Sequence, residues 1–171
     1  MPMKLFCFGF GYSAEALALR LSARAETIVG TRTGPNTPPG RGISLCIFRG
    51  DGPSRDVEAN LPGTTHALVS IPPDLEGDLV LRHHGRNLAA LSELAWIGYL
   101  STVGVYGDAK GGWIDETSPL RPGSERSLRR LQAEEAWLKF AEETGKRVEI
   151  FRLSGIYGPG RSVIDNLRAG T

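Results

Sequence analysis

The sequence predicts an α/β protein built on a doubly wound parallel sheet, with about six strands and helices on both faces. Two patterns support this prediction. Short apolar runs recur that are nearly continuous rather than alternating, as strands buried on both faces are: KLFCF, TIVGT, ISLCIF, HALVSI, WIGYLS and VEIFRL. Helical segments fall between several of these runs, and strands that alternate with helices are typical of parallel sheets.

The helices are predicted from apolar residues at i, i+3, i+4 and i+7 spacing, which places them on one helical face. The residues that define them are Ala14, Leu17, Ala18 and Leu21, then Leu88, Leu91 and Ala95, and then Ala133, Trp137, Phe140 and Ala141. The final stretch, SVIDNLRAGT, looks like the start of a further helix. Between the second and third runs, RTGPNTPPGRG is rich in proline and glycine, so we expect an irregular loop there.

Composition and charge indicate one domain of ordinary size. The chain has 171 residues, of which 40% are hydrophobic and 23% are charged, enough for a buried core. The formal net charge of +1 gives no electrostatic reason to expect nucleic acid or a membrane as a partner. No apolar stretch approaches the roughly 18 residues of a membrane span, and the N-terminal stretch is not a signal peptide, so we expect a cytoplasmic protein.

No metal site is expected from the cysteines and histidines. Cys7 and Cys46 each lie inside an apolar run, which predicts two reduced core residues rather than a disulfide or a metal pair. His66, His83 and His84 have no metal-ligand spacing among themselves or with the cysteines. We expect these histidines on the surface or on helices.

A glycine-rich turn follows the first predicted strand. Its pattern is G-x-G-x-x-A and it comprises Gly9, Gly11, Tyr12, Ser13 and Ala14. The first glycine permits a tight turn, the second lets a diphosphate approach the backbone, and the small third residue lets helix and strand pack closely. Since the following helix offers free N–H groups to phosphate, we interpret the motif as a dinucleotide-binding turn. A purely structural strand-to-helix turn is the alternative.

The end of the second predicted strand bears on the choice of cofactor. About 20 residues after such glycines, an acidic side chain binds the ribose 2′-hydroxyl of NAD. Here Thr31, Arg32 and Thr33 occupy that region, and a guanidinium can bind a 2′-phosphate through two parallel hydrogen bonds. We therefore expect NADP in preference to NAD, the alternative being that Arg32 is a solvated loop residue.

Two further strand ends are predicted to border the cofactor, because ligands of open α/β sheets lie at the carboxyl ends of the strands. Asp51 and Gly52 follow the third run, where an acid can accept a hydrogen bond from the adenine amino group or simply form a turn. Ser70, Ile71 and Pro72 end the fourth run, where the alternative is that the proline pair only stops the strand.

The second half of the chain carries an ordered set of motifs: YLSTVGVYGD, DETSPLRP, RRLQAEEAW and FRLSGIYGPGR. Together with the N-terminal glycines, this set resembles the extended short-chain dehydrogenase/reductase family, the NAD-dependent epimerase/dehydratase group. The resemblance runs over nearly the whole chain. It implies a Rossmann domain that binds NAD(P) across the strand ends, followed by a small C-terminal substrate lobe. That lobe would begin about where the sequence ends, so we expect residues 1–171 to form a single NAD(P)-binding domain, either minimal or truncated.

The resemblance also implies roles for single residues. The glycine turn matches the family's diphosphate loop, and Asp51 matches its acid on the adenine side. Thr102 matches the Ser/Thr that holds the substrate oxygen in the catalytic set, and Ser101 is the neighbouring hydroxyl. The loop that passes the nicotinamide is matched by residues of the last motif, Leu153, Ser154 and Gly155.

The catalytic pair of the family is altered in this sequence. Family members carry a tyrosine, the general acid/base, and four residues later a lysine that lowers the tyrosine pKa and binds the nicotinamide ribose. Glu134 matches the acid four positions after that lysine, which places Arg130 at the lysine position and Arg126 at the tyrosine position. Arg130 can still bind a ribose, but Arg126 cannot replace a tyrosine, because a guanidinium keeps its proton at neutral pH.

Two functional hypotheses follow. The first is an oxidoreductase or epimerase-like enzyme with altered acid/base chemistry, acting on an unknown small molecule such as a nucleotide sugar. The second is a catalytically silent NAD(P)-binding or redox-sensing module, and a structural domain with an empty cleft is a third alternative. Tyr106 and Tyr157 are the nearest other tyrosines, but neither precedes a Lys or Arg by four residues on a predicted helix. We interpret the arginine cluster from Arg121 to Arg130 as a solvated helix face. Family members often pair through two helices, which implies a homodimer.

Overall fold

A computed structural model describes residues 2–35 and 42–170. Its centre is a sheet of six strands in the order β3-β2-β1-β4-β5-β6, and every pairing between neighbours is parallel. The strands are β1 (Met3–Phe8), β2 (Ala25–Arg32), β3 (Ile43–Ile47), β4 (His66–Val69), β5 (Trp96–Thr102) and β6 (Val148–Leu153). Each coincides with one of the apolar runs, so the predicted doubly wound, Rossmann-like sheet is confirmed.

The helices connect the strands and cover both faces of the sheet. Within the described residues they are α1 (Tyr12–Leu21), α2 (Arg55–Asn60), α3 (Leu79–Ala90), α4 (Glu125–Thr144) and α5 (Val163–Ala169), with a 3-10 turn at Val103–Tyr106. Helix α2 is absent from the sequence prediction because it is too short to show a hydrophobic period. Its start is fixed by Ser54, whose Oγ accepts a hydrogen bond from the Val57 amide at 3.3 Å.

The third helix ends earlier than its apolar spacing predicts. Leu91 has extended backbone angles (φ −75°, ψ 108°) and caps α3, so Leu91 and Ala95 do not continue the helical face of Leu88. The Ala95 amide instead donates to the Thr65 carbonyl at 2.9 Å. The chain therefore leaves the helix early and enters β5 through a short turn.

Side chains of the sheet alternate between two cores, which explains why the strands are apolar without a break. From β1, Phe6 and Phe8 enter one core with Trp137 of α4. Leu5 and Cys7 enter the other core with Ala14 of α1. Because both faces of β1 are covered, both sets of its alternate positions are apolar.

The two cysteines are buried and unbonded, as predicted. Burial raises the pKa of the Cys7 thiol to about 12. Burial, with a smaller effect of the Asp56 carboxylate, raises the pKa of the Cys46 thiol to about 11. Both thiols are therefore inert core groups at neutral pH.

The histidines depart in part from expectation. His83 and His84 lie on α3 as expected, although His84 is 0% exposed. His66 lies in β4, partly buried, with its ring 6.2 Å from that of Trp96, so its predicted position on the surface or on a helix is wrong. The irregular loop predicted between β2 and β3 falls largely on residues 36–41, which lie outside the described residues. In the described chain, no helix is both long and apolar enough to cross a membrane.

Candidate active site

The glycine turn is held between β2 and β4. The Gly9 amide donates to Thr31 Oγ1 at 2.7 Å, and the Phe10 amide donates to the Thr31 carbonyl at 2.9 Å. From the other side, Ser70 Oγ donates to the Gly9 carbonyl at 2.7 Å. Gly9 has a φ of +87°, and a Cβ there would lie 2.6 Å from Ser70 Oγ. Glycine is therefore required at this position by both the backbone angle and the space.

Unlike Gly9, Gly11 is not required by the fold. Its φ is −95°, an angle that any residue adopts, and it caps α1 without a side-chain hydrogen bond. A Cβ at Gly11 would meet nothing within 4 Å, so the fold itself does not require glycine here. The free space lies in front of the first turn of α1, where the Tyr12 and Ser13 amides begin the helix. Ala14 is 0% exposed and packs α1 against the sheet.

Two clefts meet at this turn along the carboxyl edge of the sheet. The first, of about 320 Å³, is named the Arg32 cleft, and its lining includes Thr31, Arg32, Thr33, Arg49, Gly50, Ser70, Ile71 and Pro72. The second, of about 200 Å³, is named the Arg130 cleft, and its lining includes Tyr12, Ser13, Ser101, Arg130 and Leu153. Gly11 and Ser70 line both clefts. The glycine turn therefore lies at their junction, where one elongated ligand can occupy both.

Two guanidinium groups border the Arg32 cleft. Arg32 lies with its Cζ 5.9 Å from the ring centre of Phe10, and its Nη2 is 3.9 Å from Glu15 Oε2. Within the described residues, the buried Nε of Arg32 has no hydrogen-bond partner. Arg49 is exposed and borders the same cleft. Sequence reasoning missed Arg49, although a basic residue directly after an apolar strand was a usable signal.

Asp51 and Gly52 are not among the residues that line the Arg32 cleft. Asp51 is exposed and Gly52 is half-buried, and the described lining of the cleft passes through Phe48, Arg49 and Gly50. Gly50, which directly precedes Asp51, has a φ of +82°. The contact of Asp51 with adenine stays a prediction.

Helix α3 holds this outer wall through two histidines. The ring Nε2 of His83 lies 3.0 Å from the Gly50 carbonyl, to which a protonated Nε2 donates. The ring Nε2 of His84 accepts a hydrogen bond from the Ser54 amide at 3.2 Å. His84 also packs against Phe48, with ring centres 5.1 Å apart. The loop from β3 to α2 therefore depends on a neutral His84.

Arg130 is fixed in the second cleft by the end of β5. Its Nη1 donates to the Tyr99 hydroxyl and to the Leu100 carbonyl, both at 3.0 Å. The interpretation of residues 121 to 130 as a solvated helix face is therefore wrong for Arg130, whereas Arg126 is exposed. Burial raises the pKa of Tyr99 to about 12, so its hydroxyl stays protonated at neutral pH.

The hydroxyls at the end of β5 differ in their hydrogen bonds. Ser101 Oγ donates to the carboxylate of Glu134, which is 1% exposed. Glu134 also accepts from Arg152 Nη2 at 2.8 Å and from its Nε at 3.1 Å. Thr102 Oγ1 accepts from the Gly104 amide at 3.1 Å and begins the 3-10 turn. Ser101 therefore offers the cleft an acceptor, and Thr102 retains a hydroxyl hydrogen to donate.

The remaining predicted residues lie around the second cleft. Leu153 lines it, while Ser154 and Gly155 line an adjoining hollow of about 370 Å³. Tyr106 is buried, and its hydroxyl accepts from Arg152 Nη1 at 2.8 Å. Tyr157 is 84% exposed. Neither tyrosine occupies the position of Arg126.

Comparison with known proteins agrees with this geometry. Residues 86–169 match the NAD dependent epimerase/dehydratase family model. Protein YeeZ of Escherichia coli (strain K12) is 31% identical, over 92% of this chain and 60% of YeeZ. The chain thus spans about 60% of the length of the curated relatives it matches.

Solved structures show the same fold. A functionally unknown conserved protein from Silicibacter pomeroyi is 39% identical, with a TM-score of 0.79 over 94% of this chain and 56% of that one. UDP-glucuronic acid 4-epimerase from Bacillus cereus, solved in complex with NAD, is 19% identical, with a TM-score of 0.75 over 94% of this chain and 58% of that one. These findings confirm the family resemblance that the motifs predicted.

Acidification is expected to weaken the fold through His84. Burial lowers the pKa of His84 below its ordinary value of 6.5, so the folded chain keeps the imidazole neutral. Below pH 6.5 the unfolded chain therefore binds a proton that the folded chain excludes, and the free energy of unfolding falls as the pH decreases toward the folded pKa. Urea unfolding at about pH 7.5 and about pH 5.5 measures this loss.

The variant His84→Gln keeps an acceptor for the Ser54 amide but does not titrate. Between the two pH values, we expect the free energy of unfolding of this variant to fall by up to about 1 kcal/mol less than that of wild type. His83→Gln is the matched control, since His83 is the neighbouring histidine on the same helix. An equal pH-dependent loss in wild type and His84→Gln would contradict this role.

Proposed function

Since this chain belongs to the NAD-dependent epimerase/dehydratase family, we propose that it binds a nicotinamide dinucleotide along the carboxyl edge of its sheet. The diphosphate lies over the glycine turn, against the start of α1. The observation that supports this most strongly is the contrast between the two glycines. Gly9 is required by the fold, whereas Gly11 leaves space that no protein atom fills within 4 Å, which is what a ligand in contact with the backbone needs.

The two clefts accommodate the two halves of such a cofactor. The adenosine half occupies the Arg32 cleft, between Ile71 and the wall formed by Phe48 to Gly50. The nicotinamide half occupies the Arg130 cleft, where Arg130 binds the ribose and Ser101 and Leu153 border the ring. The Bacillus cereus 4-epimerase, which has a similar fold, is solved in complex with NAD, which supports a nicotinamide dinucleotide as the ligand.

The cofactor we propose is NADP, with NAD as the weaker ligand. Arg32 and Arg49 border the cleft where the adenosine ribose lies, and within the described lining no carboxylate is present to bind a 2′-hydroxyl. A 2′-phosphate supplies acceptor oxygens and negative charge to both guanidinium groups, of which that of Arg32 is also paired with Glu15 at 3.9 Å.

We propose that the protein acts as an oxidoreductase or an epimerase-like enzyme, and that proton transfer limits the rate of its reaction. Hydride transfer at an alcohol carbon needs a group that moves the hydroxyl proton, a contribution of about 10²–10⁴-fold in rate. Arg126 cannot supply it, and Tyr99 is held protonated with a pKa of about 12. The substrate is a small molecule, and a nucleotide sugar is suggested by the likeness to UDP-glucuronic acid 4-epimerase. The alternative is a catalytically silent NAD(P)-binding or redox-sensing module, which the absent tyrosine favours.

The first prediction concerns cofactor preference. Arg32→Ala is expected to weaken NADPH binding about tenfold or more and NADH binding by less than about twofold, because only NADPH carries the 2′-phosphate. Nicotinamide fluorescence titrations of both cofactors measure this difference. Arg20→Ala, an exposed arginine on α1, is the matched control. Equal losses for NADPH and NADH, or tighter NADH binding by wild type, would exclude the NADP assignment.

The second prediction concerns the altered catalytic pair. The double variant Arg126→Tyr with Arg130→Lys is expected to raise NADP⁺ reduction with nucleotide sugars or small alcohols, by up to about 10²-fold. Absorbance of NADPH follows the reaction, and Arg126→Phe with Arg130→Lys is the control that lacks only the hydroxyl. A folded double variant that is no faster than this control argues against the placement of residues 126 and 130.

A further inference from the structure

The segment after β6 folds back over the start of α1. We name residues 154–161 the strap. The Tyr12 hydroxyl donates to the Pro159 carbonyl of the strap at 3.3 Å, and a Cβ at Gly158 would lie 2.1 Å from that hydroxyl. Two backbone hydrogen bonds between Gly158 and Arg161, at 3.0 and 2.9 Å, close the turn. The strap therefore rests on Tyr12, which directly follows Gly11.

Arg161 ends the strap at the mouth of the Arg130 cleft. Its Cζ lies 5.5 Å from the ring centre of Tyr12, and the residue lines the cleft beside Gly11 and Arg130. A guanidinium over an aromatic face is held in place without losing its outward N–H donors. Within the described chain, Arg161 forms no ion pair within 4.0 Å.

The charge of this cleft is unbalanced. Two guanidinium groups and the hydroxyls of Ser13, Ser70 and Ser101 line it, and its described lining contains no carboxylate. Glu134 lies behind Ser101, but its oxygens are already bound to Arg152. Ser70 and Ser101 donate their hydroxyl hydrogens to other protein groups, so the positive charge and the free N–H donors of the cleft come from its two guanidinium groups. Guanidinium donors suit phosphate oxygens.

We propose that Arg161 binds a phosphate group over Gly11, with Tyr12 as the platform that positions its guanidinium. This inference rests on the proposed function, because the phosphate belongs either to the diphosphate of the dinucleotide or to a second ligand such as a nucleotide sugar. In both cases Tyr12 acts twice. Its backbone begins α1 beneath the phosphate, and its side chain holds the strap above it.

The test compares Arg161→Ala with wild type by calorimetric titration of the complete chain. NADPH and ADP-ribose contain a diphosphate and are expected to bind about tenfold or more weakly to the variant. The ligand 2′-AMP reaches only the Arg32 cleft and is expected to bind unchanged. UDP is titrated into NADPH-saturated protein to test the other possible source of the phosphate, a second ligand such as a nucleotide sugar. A loss for UDP alone assigns Arg161 to the second ligand and also supports the proposal.

Arg161→Lys keeps the charge without the paired donors and is expected to lie between wild type and alanine. Arg20→Ala is the matched control, and thermal unfolding checks that each variant is folded. Unchanged affinity of folded Arg161→Ala for NADPH, ADP-ribose and UDP overturns the proposal while leaving the proposed function intact. If wild type binds no dinucleotide, the proposed function fails. In that case inorganic pyrophosphate is titrated into both proteins. Binding to wild type that Arg161→Ala loses supports the Arg161 site. Absence of binding to wild type, or equal binding by both proteins, overturns the Arg161 site.

Discussion

The hydrogen bond from the Gly9 amide to the Thr31 hydroxyl, 2.7 Å long, is the constraint on which the site depends. It ties the end of β1 to the end of β2, while Ser70 ties the same turn to β4. These bonds hold Gly9 in a backbone conformation that only glycine adopts readily. The turn therefore enters α1 in one orientation, with Gly11 open to the junction of the two clefts.

A second constraint fixes the carboxyl edge of the sheet at β5 and β6. The carboxylate of Glu134 on α4 accepts hydrogen bonds from Ser101 of β5 and from Arg152 of β6. Because this charge is fully buried, it must remain paired, since a lone buried carboxylate is strongly destabilising. The pairing locks the register of α4 against β5. Arg130, one helical turn earlier, consequently meets the Tyr99 hydroxyl and the Leu100 carbonyl.

The strands and the glycine turn could be predicted from sequence because local patterns encode them. Burial on both faces makes the central strands largely apolar, and the Gly9 and Gly11 spacing is a short-range motif. The role of Thr31 could not be predicted in the same way. The sequence placed it at the cofactor, but its hydroxyl bonds to Gly9, and this contact between residues 22 positions apart depends on sheet order.

Arg161 was missed for the same reason. Arg49 was visible as a basic residue after an apolar run, but its position at the cleft was not. Each stands in a loop whose position follows from tertiary contacts, Arg49 through the histidines of α3 and Arg161 through Tyr12. The premature end of α3 and the short helix α2 also escaped prediction, because caps and turns decided them rather than a hydrophobic period. Family motifs located the altered catalytic pair, but only the structure distinguishes the fixed Arg130 from the exposed Arg126.

The central claim is that the glycine turn holds the diphosphate of a dinucleotide, and a calorimetric titration of NADPH into wild type and Gly11→Val tests it most directly. A Cβ at Gly11 meets no protein atom within 4 Å, so the variant should still fold, with its melting temperature lowered only by the loss of glycine at the N-cap of α1. We expect one NADPH site in wild type and a loss of at least about tenfold in affinity in the variant. Equal binding by both proteins, or no binding of NADPH or NADH by wild type, would contradict it.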